Sequence, residues 1–94
     1  MEHLRQEVIK MQHKINDLMD DAGHEAARML CKEVQGLEDD LQVKKQALTI
    51  EARVKRIIHI LEGEAKEARI MNYEHLAMFR EYFEELRHKL RGMA

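Results

Sequence analysis

A chain of 94 residues and 11.2 kDa has room for one domain, and its 16 Lys and Arg against 18 Asp and Glu leave a formal net charge of −2, too little to steer it onto nucleic acid or an anionic bilayer. Apolar residues make up 45% but aromatics only 4%, so the core must come from aliphatics, methionine and alanine, which suits narrow helix–helix seams and argues against a broad pocket. Cys31 is the single cysteine, which excludes an intrachain disulfide and a cysteine-rich zinc site and favours a reducing compartment.

The longest apolar cluster, Ile57 to Leu61, is far short of the ~20 residues that span a bilayer. Residues 1–5 lack the basic start and apolar run of a signal peptide. The expected location is the cytoplasm, with the nucleus as the other soluble option.

The chain contains no proline, and its apolar residues recur at steps of three and four from Leu4 to Leu90. Such spacing keeps them on one stripe of a helix and predicts helix nearly throughout. In the first segment Leu4, Val8, Met11, Ile15, Leu18 and Ala22 form a heptad-like seam, predicting a helix over about 2–21. The string Asp20-Asp21-Ala22-Gly23 then predicts a turn, with Glu25 near the positive end of the next helix.

The second segment carries two seams. Leu30, Val34, Leu37 and Leu41 form one, and Val43, Ala47, Ile50, Val54, Ile57 and Leu61 form another, rotated from the first by roughly 100° at ~100° per residue. With no proline or Gly-rich linker between Leu41 and Ile50, the spacing predicts one long middle helix over 24–62, extending to 70 in one reading, that faces two different partners. Gly36 falls inside the first seam at a cost of about 1 kcal/mol relative to alanine, which points to a close backbone approach or to simple tolerance.

Leu76, Phe79, Phe83, Leu86 and Leu90 define a third helix ending near 91. It starts at 64 after Gly63, or at 73 with Asn72 as its cap. The expected fold is all-α and a single module over 1–94. Its helices form antiparallel hairpins or an elongated three-helix bundle with coiled-coil packing, and the long middle helix spans about 60 Å.

Sites for chemistry are sparse. Of His3, His13, His24, His59, His75 and His88, no two lie four apart, and Glu85 with His88 is a single carboxylate–histidine pair beside the buried stripe. No metal site and no cofactor is therefore expected. Cys31 lacks any histidine specified to activate it. The methionines, Met11, Met19, Met29, Met71 and Met78 among them, fit core filling at helical spacing or an adaptable partner-binding face.

Charge is more informative. Glu33, Glu38, Asp39 and Asp40 form an acidic block, followed by the basic block Lys44, Lys45, Arg53, Lys55 and Arg56, which contains one acid, Glu51. Two copies running antiparallel around residues 42–45 would set each block against its opposite, so these nine residues are the expected interaction site and an antiparallel homodimer the expected assembly. The basic block has no interleaved aromatic, which disfavours nucleic acid.

The string His88-Lys89-Leu90-Arg91-Gly92-Met93-Ala94 resembles the phosphoacceptor signature of histidine phosphotransfer domains. The resemblance implies that His88 accepts phosphate, that Arg91 steadies it and that Gly92 admits a response-regulator partner. It covers seven residues, and a helix C-terminus closed by glycine and rich in basic residues also arises from ordinary capping. The leading expectation is a non-enzymatic protein–protein interaction or assembly module of adaptor, cytoskeletal, trafficking or cochaperone type. A phosphotransfer domain fragment using His88 is the alternative.

Overall fold

The protein is described by a computed structural model over residues 2–66 and 70–94. Within those residues the chain forms α1 (Glu2–Leu18), α2 (Glu25–Gln42), α3 (Ala47–Ala65) and α4 (Tyr73–Gly92), with no strand. Each helix buries the stripe that the three-four spacing predicts. Leu4, Val8 and Ile15 of α1 meet Leu30, Val34, Leu37 and Leu41 of α2. They share one core with Ile50, Val54, Ile57 and Leu61 of α3 and Leu76, Phe79, Phe83, Leu86 and Leu90 of α4.

The long middle helix expected over 24–62 is two helices. Residues 43–46 reverse the chain, and Lys44 adopts a left-handed conformation at φ 58°. The amide of Lys45 donates to the Asp40 carbonyl at 3.1 Å and that of Lys44 to the Leu41 carbonyl at 3.3 Å. This double bond pattern is a Schellman close, here with lysine where glycine is usual. The two seams rotated by roughly 100° thus belong to two helices facing one core. Val43, counted in the second seam, sits in the turn and is 65% exposed.

The other boundaries follow from local chemistry. The first helix stops at Leu18 rather than near 21, and Ala22 is exposed outside it. His24 caps α2 by accepting the Ala26 amide on Nδ1 at 3.1 Å. Asn72 caps α4, its Oδ1 accepting the His75 amide at 2.9 Å, which decides for the later of the two expected starts. Gly63 lies within α3, so helix passes through it; residues 67–69, in the stretch expected to favour helix, lie outside the described residues.

Consecutive helices run antiparallel, as short connections require. Arg5 reaches Glu38 (3.8 Å), Gln12 reaches Gln35 (2.8 Å) and the Cys31 thiol reaches Asn16 Oδ1 (3.6 Å), fixing the register of α1 on α2. The α3–α4 interface is the most extensive. A backbone bond from the Asp20 amide to the Ile70 carbonyl (2.7 Å) ties the first connection to the segment entering α4. The body measures 34 × 19 × 18 Å, so the elongated three-helix arrangement with its ~60 Å rod gives way to a shorter one with four helices.

Candidate protein-docking groove on α2 and α3

The turn at residues 43–46 brings the two charge blocks together within a single chain. Arg53 donates from Nε to Asp40 (2.8 Å) and from Nη1 to Glu33 (3.2 Å), Arg56 donates to Glu33 (3.0 Å), and Lys45 pairs with Asp40 (3.0 Å). The antiparallel match expected between two copies is made between two helices of one copy. Asp40 is buried, which alone would raise its pKa, but the hydrogen bonds and charges of Arg53 and Lys45 outweigh burial and hold its carboxyl below the usual aspartate range.

The remaining members of the expected site are dispersed. Glu38 faces Arg5 of α1, Asp39 accepts from Gln35 within α2 (3.2 Å), and Lys44 stands in the turn. Lys55 is exposed with no ion-pair partner among the described residues. Gly36 has a clear role, because a Cβ built there would fall 2.6 Å from Cζ of Arg53. The missing side chain is the space through which the guanidinium reaches across α2 to both acids.

A second ionic link joins α3 to α4. Glu51, the acid within the basic block, is buried and accepts from Arg91 (3.0 Å) and Arg87 (3.5 Å). Burial pushes its pKa up, but the two arginines more than compensate and hold it below the usual glutamate range. Arg91, the residue that the phosphotransfer resemblance would use to steady a phosphate on His88, is thereby engaged with Glu51. His88 itself is exposed on α4.

On the outer face of the same hairpin, α2 and α3 leave a groove of about 670 Å³. Its floor is apolar, made by Met29 of α2 and Ala52 and Ile60 of α3. Lys32, Lys55, Arg56 and His59 stand along its edges, together with Glu33. Met29 is 49% exposed although it is a large apolar side chain.

Sequence reasoning separated these residues. Met29 falls among the methionines, Lys55 and Arg56 in the basic block, and Ile60 in the short apolar cluster Ile57 to Leu61, outside the seam. The available signal was the spacing Ala52, Arg56, His59 and Ile60, a second stripe on the helix face opposite Ile50, Val54 and Leu61.

Tyr82 packs edge-on against Phe83, with ring centroids 5.1 Å apart. Its hydroxyl is buried without a hydrogen-bond partner among the described residues, and burial raises its pKa. Cys31 is half-buried, and desolvation likewise raises its thiol pKa, which opposes the thiolate a nucleophile needs. Among the described residues no group of three His, Cys, Asp or Glu side chains is arranged to hold a metal ion, and no helix is long and apolar enough to cross a membrane.

Comparison with protein-family models, with curated proteins and with solved structures gives no match to this chain.

Proposed function

We propose that the protein is a non-enzymatic interaction module of the cytoplasm that binds another protein through the outer face of the α2–α3 hairpin. The observation that carries this is the groove: an apolar floor left open to solvent on a small protein whose other long apolar stripes are buried. A concave apolar floor with a polar rim is a shape that suits a protein contact. The groove's walls are two helices joined by part-buried ion pairs, so the backbone that carries the contacts is formed before a partner arrives.

The phosphotransfer alternative gains no support from the geometry, since Arg91 is committed to Glu51. An adaptor, cytoskeletal, trafficking or cochaperone role each needs such a face, and the partner decides among them.

Site-specific photo-crosslinking tests the proposal. A benzophenone amino acid placed at Ala52 should give a discrete adduct in cells, while the same group at Glu81 on α4 should not. The adduct partner, identified and purified, should then bind the unmodified chain in solution. Equal labelling from both positions, or a partner that fails to bind when purified, would remove the proposal.

A further inference from the structure

The groove has a chemical preference as well as a shape. Three cations (Lys32, Lys55 and Arg56) line it against one acid (Glu33), a local surplus of two positive charges on a chain whose formal net charge is −2. Glu33 is already paired, one oxygen with Arg53 and the other with the rim's own Arg56, which leaves the two lysines as the uncompensated cations of the rim. Lys32 and Lys55 are exposed and have no ion-pair partner among the described residues. They lie on opposite helices, one on each side of the apolar floor.

The floor has helical dimensions. Ala52 to Ile60 is eight residues apart on α3, about 12 Å, or slightly more than two turns. Met29 faces this run from the antiparallel α2. Two ridges from antiparallel helices, with a small residue between them, form the groove into which a third helix packs. An incoming helix with apolar residues at i, i+4 and i+7 matches this length and leaves its flanks beside Lys32 and Lys55.

Resting on the reading of this face as a protein-docking surface, we infer that its occupant is an acidic amphipathic helix of a partner protein. The apolar stripe of that helix lies on Met29, Ala52 and Ile60, and its carboxylates meet Lys32 and Lys55. A second copy of the chain is the competing occupant. Each described helix, however, already turns its main apolar stripe into its own core.

The test uses three fluorescein-labelled 16-residue helical peptides and the full chain, with fluorescence anisotropy as the readout. The first carries leucine at i, i+4 and i+7 with glutamate flanks. The second keeps the leucines with lysine flanks, and the third keeps the glutamates with alanine at the leucine positions. The first should bind at least tenfold more tightly than either of the others. The double variant Lys32→Glu, Lys55→Glu should lose that binding by tenfold or more and gain affinity for the lysine-flanked peptide. Both positions are exposed, and unchanged circular dichroism checks that the fold persists; Met29→Gln gives an independent loss through the floor.

Equal binding of the acidic and basic peptides, or no binding of the acidic one, overturns the inference. It leaves the docking reading to stand or fall on the crosslinking. Two other results also overturn it: stronger binding to phosphatidylserine vesicles or to a single-stranded RNA 16-mer than to the acidic peptide, and concentration-dependent self-association that the double charge reversal abolishes.

Discussion

Gly36 and Arg53 show how a residue that weakens a helix locally can serve a contact across it. Alanine at 36 gains about 1 kcal/mol of helix propensity, but its Cβ displaces a guanidinium whose hydrogen bonds to charged partners contribute about 1.5–3 kcal/mol. Gly36→Ala should therefore destabilise the native chain by about 1 kcal/mol, yet stabilise the Arg53→Ala variant by a similar amount. Urea titration of the four proteins in this cycle reads the reversal of sign, and the same sign in both backgrounds would mean that Arg53 does not hold Gly36 in place. Glu51 and Asp40 carry a different residue-scale consequence. Their carboxyl pKa values are depressed in the folded state relative to the ordinary 4.5 and 3.8, so the unfolded chain takes up protons first as pH falls. The stability they supply is full above about pH 5 and is lost as pH drops through their folded pKa values. Glu51→Gln should flatten the acid limb of a stability-versus-pH curve while leaving the slope between pH 6 and 8 unchanged.

The turn that separates α2 from α3 is the decisive element. Lys44 holds a left-handed conformation that costs a residue with a Cβ about 1–2 kcal/mol. Lys44→Gly should accordingly stabilise the protein by about 1 kcal/mol, and Lys44→Val should destabilise it, as read by thermal or denaturant unfolding. A continuous helix through this position would respond to glycine with the opposite sign. Two seams out of phase were legible in the sequence, and so were the cap at Asn72 and the turn before Glu25. The break itself was not, because the Schellman close is made by backbone bonds and uses a lysine where the usual glycine or asparagine signal is missing. Complementary charge blocks were equally legible, but a linear sequence does not distinguish pairing across a hairpin from pairing across a dimer. The ion pairs of Glu51 with Arg87 and Arg91 join residues 36 and 40 positions apart, and no local pattern announces contacts at that range. The groove needed both helices in register before its floor and rim became one surface.

At the scale of the whole molecule, the Cα radius of gyration of 12.5 Å matches the roughly 12.4 Å expected for a compact fold of this length. The long middle helix of the expected arrangement is replaced by two helices that pack on each other, and much of the charge expected to join two copies pairs inside one. Sedimentation of the isolated chain should therefore give a compact monomer at micromolar concentration. Its stability should depend steeply on the shared core: Ile57→Ala or Phe83→Ala, each at a fully buried position, should cost about 2–5 kcal/mol, whereas Lys66→Ala should fall within about 0.5 kcal/mol. Equal small losses at all three sites would contradict the assignment of the core.

The helices pack chiefly on their neighbours in the chain, and the α2–α3 pair closes through a four-residue connection. Speed of assembly follows from this connectivity. Short loops keep the entropy of closure small, and contacts that join sequence neighbours place such a bundle among proteins that fold in microseconds to milliseconds. With opposite charges arriving on either side of a turn already fixed by backbone bonds, the central hairpin is the natural nucleus. Substitutions at Val34 or Val54 should slow refolding, whereas those at Leu4, on the outermost turn of α1, should mainly hasten unfolding.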